Sequence, residues 1–297
     1  MSETHDAPNF FVLGAAKCGT TTLYHLLRQH PQIFMTRDKE PRFFDTDQYY
    51  EAGLDKYLET HFSGAVGYPA RGEATPFYLR GADKVASRIR EDVGSDVKFI
   101  AIMRDPVERA WSHYLNMLRI GAEREAFSSA LRLEPQRVNE ARGSWIAYYA
   151  DGLYASQLEV WFRYFPRERF LLLLTEDLRM QPEETARRMF EFLSVDPDVV
   201  VATHGRMNPA ATARYKWLAV VLNRPNPLTN ALKHLFPYVH RKQLRDWVNQ
   251  RNKKHYGQNP ELDPLVAVEL RTRYHDDVRR LEKIMGRDLS HWFSSAE

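Results

Sequence analysis

The 297-residue chain is 43% apolar and 27% charged, a balance that excludes a mostly disordered, collagenous or fibrous protein. Its 42 Lys and Arg against 39 Asp and Glu leave a net charge of +3, too slight for a dedicated nucleic-acid binder. One cysteine, Cys18, excludes an internal disulfide, and no apolar run reaches the ~18–20 residues of a membrane span. The start Met1–Asp6 is polar and lacks the basic and apolar parts of a secretion signal, so the expected address is the cytoplasm.

Short apolar runs alternate with stretches of helical period. The run Phe10–Leu13 reads as a strand ending at Gly14. After it, Gly14 to Thr22 form a loop that opens a helix at Leu23. Ile33–Met35 is a short second strand, and Gly72–Ala74 mark a third. Lys98–Met103 is the clearest strand of the middle, and Phe170–Leu174 is the last. Continuous apolar strands of this kind are covered on both faces. Between the last two, Asp105 caps a helix with Pro106 in its first turn and Glu108 three residues after the cap. Its apolar stripe is Val107, Ala110, Trp111, Tyr114, Leu115 and Leu118. Tyr154, Leu158, Trp161, Phe162 and Phe165 make another stripe, and Asp263-Pro264 opens a long C-terminal helix. Residues 204–260, with one apolar island at Trp217–Leu222, read as an irregular cap over the sheet's carboxyl edge. The expectation is one α/β domain over 1–297, with a mostly parallel sheet of about five strands between two helical layers.

The loop Gly14-Ala15-Ala16-Lys17-Cys18-Gly19-Thr20-Thr21-Thr22 lies between a strand and a helix. There, backbone N–H groups and the helix N-terminus together attract an anion. Gly14 and Gly19 keep the spacing of the nucleotide-triphosphatase loop, but Thr20 stands where that loop has lysine, and Lys17 comes three places earlier. A sulfuryl group carries less charge than a terminal phosphoryl group, so one lysine and no metal suffice for it. Cys18 needs no nucleophilic role; a small residue between Lys17 and Gly19 explains it. Arg104 sits at the carboxyl end of a strand, where open α/β sheets bind ligands, and Ser112 lies about two helical turns on. An extended arginine and this hydroxyl can converge on one phosphate; the other reading pairs Arg104 with Asp105 or Glu108.

With these motifs in order, the chain resembles the sulfotransferases that use 3′-phosphoadenosine 5′-phosphosulfate (PAPS), in the branch of the heparan sulfate enzymes and many bacterial ones. The likeness covers about residues 9–195 and 260–292. It implies a P-loop-like fold, and a 5′-phosphosulfate held by Lys17, Cys18, Gly19, Thr20, Thr21 and Thr22. Lys17 would stabilise the leaving oxygen, while Arg104 and Ser112 would hold the 3′-phosphate. Lys39-Glu40-Pro41-Arg42-Phe43-Phe44-Asp45 is similar to the family segment whose glutamate is the base. The resemblance makes Glu40 that base, sets Lys39 on the sulfuryl oxygens, and sets Arg42 and Asp45 near the acceptor. Arg42 replaces the histidine of heparan-modifying relatives.

Gly72-Glu73-Ala74-Thr75-Pro76 resembles a further segment, which sets Thr75 at the acceptor and has Ala74 in place of a lysine that faces acidic sugars. That departure and the small net charge point to an acceptor other than heparan. A basic 3′-phosphate loop is expected at Arg251, Lys253 and Lys254. His25 and His113 are rival bases. The expected acceptor is a small-molecule, carbohydrate or lipid hydroxyl, with no nucleic acid and no metal. The alternative is a phosphotransferase using ATP and magnesium, for which Glu176 and Asp177 after the last strand could supply the acidic ligand.

Overall fold

A computed structural model describes residues 7–139, 146–203, 211–213, 253–255 and 260–293. The chain divides into two compact units. The first contains residues 1–109, 150–207 and 271–297; the second contains 110–149 and 208–270.

The first unit holds a five-stranded sheet, with β1 (Phe10–Gly14), β2 (Ile33–Met35), β3 (Ala70–Ala74), β4 (Lys98–Met103) and β5 (Phe170–Leu174). The order is β2-β3-β1-β4-β5, and every pairing is parallel. The five strands expected from the apolar runs are all present, with β3 beginning two residues earlier than expected. Parallel strands need crossovers, and these are supplied by α1 (Thr20–Arg28), α2 (Asp47–Tyr50), α3 (Leu54–Phe62), α4 (Ala82–Asp92) and α5 (Pro106–Arg119), and by α7 (Tyr154–Tyr164) before β5. After β5 come α8 (Thr175–Met180) and α9 (Pro182–Leu193).

Side chains alternate across the sheet, so Phe99 and Ile102 of β4 face opposite sides. Phe99 meets Trp161 and Phe165 around α7, with ring centroids 5.1 and 4.6 Å away. Ile102 faces the start of α1: a Cβ on Gly19 would lie 3.6 Å from its Cδ1 and 3.2 Å from Leu178 Cδ2 of α8. Phe10 to Leu13 and Phe99 to Met103 are all 0% exposed, as strands covered on both faces must be.

Parallel topology puts every strand's carboxyl end on one edge. The chain leaves β1 towards β2 on one side and leaves β4 towards β5 on the other. The crevice of such a sheet therefore opens between the carboxyl ends of β1 and β4.

In the second unit, Trp111, Tyr114, Phe127 and Tyr148 form an aromatic cluster around α6 (Phe127–Asn139). Glu134 Oε2 accepts the backbone N–H groups of Tyr148 and Tyr149 at 2.8 and 2.7 Å. A two-stranded antiparallel ribbon pairs β6 (Ala211–Ala213) with β7 (Lys253–His255). The long helix α10 (Pro264–Met285) starts at the expected Asp263-Pro264. Among the described residues, no helix is long and apolar enough to cross a membrane.

Candidate functional site

The loop after β1 begins with close approach. Gly14 has φ +151°, and a Cβ there would stand 2.7 Å from the carbonyl oxygen of Pro76. Ala15 N–H then donates to the carbonyl of Ile102 at 2.8 Å, which ties the loop to β4. Lys17 has φ +73° and Gly19 φ +109°. Gly19 caps α1 without a side-chain bond, and α1 starts at Thr20, not Leu23, so Thr20, Thr21 and Thr22 form its first turn. The first N–H groups of a helix have no intrahelical acceptor, and no acidic residue occupies this turn. Lys17, Thr21 and Thr22 are half-buried, while Cys18 and Thr20 are buried. Burial pushes the Cys18 thiol up, so it is a neutral packing group and no nucleophile.

Arg104 follows β4 and is 17% exposed. Its guanidinium pairs with Glu108, one of the two readings of the sequence. Its Nε is nevertheless buried, with no hydrogen-bond partner among the described residues. Asp105 caps α5 as expected, with Oδ1 accepting the N–H of Val107 at 2.7 Å and of Glu108 at 3.3 Å. Glu108 is spent on Arg104 instead of closing a capping box. Ser112 is half-buried in the part of α5 that belongs to the second unit.

Residues 39–45 follow β2. Lys39 Nζ donates to Glu40 Oε1 at 2.7 Å. Glu40 is 38% exposed at its side chain, and its backbone N–H donates to the carbonyl of Ala74 at 3.2 Å. Arg42 donates to Asp45 Oδ2 from Nε at 3.1 Å and from its terminal nitrogen at 2.9 Å. Burial opposes charge on Arg42, but the adjacent Asp45 outweighs it, and the guanidinium moves up from its ordinary value. Glu40 and Arg42 have φ of +65° and +60°. Three of the four described non-glycine residues with positive φ are thus Lys17, Glu40 and Arg42; the fourth, Ser194, ends α9. Such backbone costs ~1–3 kcal/mol per residue and clusters at functional sites.

Thr75, expected at the acceptor, is 0% exposed, and its hydroxyl donates to Glu73 Oε2 at 2.7 Å. That expectation is corrected: a buried hydroxyl committed to a carboxylate does not face a ligand. Glu73, not singled out by the sequence reading, is itself 0% exposed and accepts at Oε1 from Tyr57 at 2.8 Å and Tyr78 at 2.9 Å. Tyr78 Oη in turn accepts the N–H of Phe44 at 3.2 Å. Phe43 and Phe44 pack on Tyr57, with centroids 4.4 and 5.6 Å away. The signal in the sequence was a glutamate inside a buried strand, flanked by Gly72 and Ala74.

Of the rival bases, His113 is 1% exposed against the Tyr148 ring, which keeps it from an acceptor. His25 is held down by burial, then by Arg28 and Lys39. Glu176 and Asp177 are engaged: Asp177 Oδ1 accepts from Arg287 at 2.7 Å, and Glu176 Oε1 lies 3.1 Å from His291 Nε2. Lys253 and Lys254 lie on β7. Arg251 and the Trp217–Leu222 island lie outside the described residues.

Comparison with known proteins gives the family. The family model described as "Sulfotransferase domain" matches residues 7–208. A mouse heparan sulfate glucosamine 3-O-sulfotransferase 3B1 is 31% identical over 252 residues, 84% of this chain. The human bifunctional heparan sulfate N-deacetylase/N-sulfotransferase 3 is 28% identical over 201 residues, 64% of this chain and 22% of its own length. The chain spans 62% of the length of the mouse relative. A solved sulfotransferase from Alicyclobacillus acidocaldarius is 28% identical with a TM-score of 0.72, covering 97% of this chain and 99% of that one. The family-model match over residues 7–208 places the chain in the sulfotransferase domain family, and its five-stranded parallel sheet is in keeping with that.

Proposed function

We propose that the protein transfers a sulfuryl group from PAPS to a hydroxyl of a small-molecule, carbohydrate or lipid acceptor. The observation that supports this is the adjacency of two cationic features across the β1–β4 pair: the Lys17–Thr22 loop, tied to β4 by Ala15, and Arg104, whose buried Nε has no partner among the described residues. A donor with a 5′-phosphosulfate and a 3′-phosphate fits this set, since each end has its own cationic side chain.

When bound, the donor supplies the sulfuryl group and a phosphate leaving group. Lys17 brings positive charge to the 5′ side, with backbone N–H groups and the hydroxyls of Thr20, Thr21 and Thr22 around it. Arg104 would hold the 3′-phosphate, a role the resemblance gives also to Ser112, Lys253 and Lys254. Glu40 takes the acceptor's proton. Its Oε1 is held by Lys39, which orients the carboxylate and leaves Oε2 to receive the proton. Lys39 would also steady the sulfuryl oxygens of the bound donor. Arg42 and Asp45 act as one ion pair beside the acceptor.

The relatives' names include both O- and N-sulfotransferases, so the family leaves the acceptor atom open. Ala74 and the net charge of +3 favour an acceptor less acidic than heparan. Cys18, a buried free thiol, fits a cytoplasmic address.

The test is thermal stability with adenosine 3′,5′-bisphosphate against ATP plus magnesium. A ligand at 100 times its Kd adds ~2.7 kcal/mol, which raises the midpoint of a protein this size by about 5 °C. The expected result is a rise with the bisphosphate that Lys17→Ala and Arg104→Ala each reduce. A rise with ATP and magnesium alone transfers the assignment to phosphoryl transfer.

A further inference from the structure

Two buried hydroxyls join the loop after β1 to the end of β4. Tyr154, the first residue of α7, is 0% exposed, and its Oη donates to the carbonyl of Arg104 at 3.1 Å. The same oxygen lies 3.5 Å from Cys18 Sγ. A phenol has one proton; with it on the Arg104 carbonyl, the contact to Tyr154 takes the single Cys18 S–H when it turns there and not to the Ala16 carbonyl, 3.8 Å from Sγ. Thr175, the first residue of α8, makes the second link. Its Oγ1 is 2.5 Å from the carbonyl oxygen of Cys18 and 3.1 Å from that of Met103.

These links stand where the sheet stops. The β4–β5 ladder ends at the Met103–Leu174 pair, and the β1–β4 ladder ends at Gly14–Ala101. Beyond those pairs, sheet pairing no longer fixes where Cys18 and Arg104 lie relative to each other. The aromatic body of Tyr154 and the methyl of Thr175 would bury equally well without their oxygens. The hydroxyls add only the bonds, and those bonds run between the two anion-binding features.

We infer that Tyr154 and Thr175 are positioning residues: they set the spacing between the Lys17–Thr22 loop and Arg104, and so select a ligand with an anionic group at each end over one with a single anionic group. The inference rests on the donor reading above. Loss of one link loosens the spacing without removing either grip. It therefore weakens a ligand that spans both features and spares one that uses the loop alone.

The experiment measures binding of adenosine 3′,5′-bisphosphate and of adenosine 5′-monophosphate by calorimetry. The proteins are the wild type, Tyr154→Phe, Arg104→Ala and the double variant. Tyr154→Phe is expected to weaken the bisphosphate about three- to tenfold, the range of one hydrogen bond, and to leave the monophosphate unchanged. In the Arg104→Ala background it adds no further loss, because the residue acts through Arg104. Thr175→Val shows the same selective loss, and Thr175→Ser restores wild-type binding; this pair carries the test if Tyr154→Phe folds poorly. Equal weakening of both ligands, additive losses, or unchanged bisphosphate binding overturns the inference. A wild type that does not bind the bisphosphate overturns the donor reading, and the positioning role falls with it.

Discussion

Glu40 follows β2 and Ala74 ends β3, and the Glu40 N–H donates to the Ala74 carbonyl at 3.2 Å, one residue beyond buried Glu73. Glu73 gathers Tyr57, Thr75 and Tyr78 on its two oxygens, and Tyr78 takes the Phe44 N–H. The segment 40–44 is therefore pinned at Glu40 and at Phe44, both times to the stretch around β3. This explains how Glu40 and Arg42 are kept at positive φ.

Glu73 should give the folded protein a pH signature. Burial pushes its carboxyl up to about 7 from 4.5, against three hydroxyl donors that favour the ionised form. Between those values the folded protein holds a proton that the unfolded chain has released. The group's contribution is whole below pH 4.5 and is lost as pH rises through 7. At 1.36 kcal/mol per pH unit this is on the order of 3 kcal/mol. In urea unfolding, the stability of wild type relative to Glu73→Gln is expected to fall by that amount across the window. A flat difference means that the carboxyl does not titrate there.

Glu40→Gln should lose ~10²-fold or more in turnover, as removal of a general base does. Adenosine 3′,5′-bisphosphate should bind it as it binds wild type. Radiolabelled sulfuryl transfer to an acceptor that wild type uses is the measurement, and a near-normal rate takes Glu40 out of the mechanism.

Gly19→Ala places a Cβ at φ +109°, 3.2 Å from Leu178 Cδ2. The strained backbone should cost about 1–3 kcal/mol in denaturant unfolding. Bisphosphate affinity should fall as well, because the same φ aims the loop's N–H groups.

Asp105→Ala should cost about 1 kcal/mol through loss of the α5 cap, while Asp105→Asn should stay within a few tenths, since asparagine caps equally well. Comparable losses in both variants would show that charge, and not the hydrogen bonds to Val107 and Glu108, is what matters there.

Much of this was legible in the chain. Runs such as Lys98–Met103 and Phe170–Leu174 announce buried parallel strands because they are too apolar for any one-sided strand, and the Asp105-Pro106 pair is a local signal for a helix start. The Lys17, Glu40 and Arg104 motifs lie at strand ends as read. What escaped was the chemistry of contact across the sequence. The Cys18–Tyr154 pair spans 136 positions, and no periodicity links them. Thr75 has the composition of a ligand contact, and only its burial against Glu73 shows otherwise. Arg104 offered two readings because an exposed Glu108 one turn on satisfies part of its fork and leaves Nε over.

The strand order separates the two halves of the site in a way that bears on how such a protein can change. β1, which launches the Lys17 loop, is paired on both sides, whereas β2, which launches residues 39–45, pairs with β3 alone. A graft of a foreign segment after β2 disturbs one neighbour; the same graft after β1 disturbs two. On the proposed function, redesign of acceptor choice is therefore best confined to the sheet's margin, where length and charge can vary without disturbing the doubly paired strand that launches the Lys17 loop.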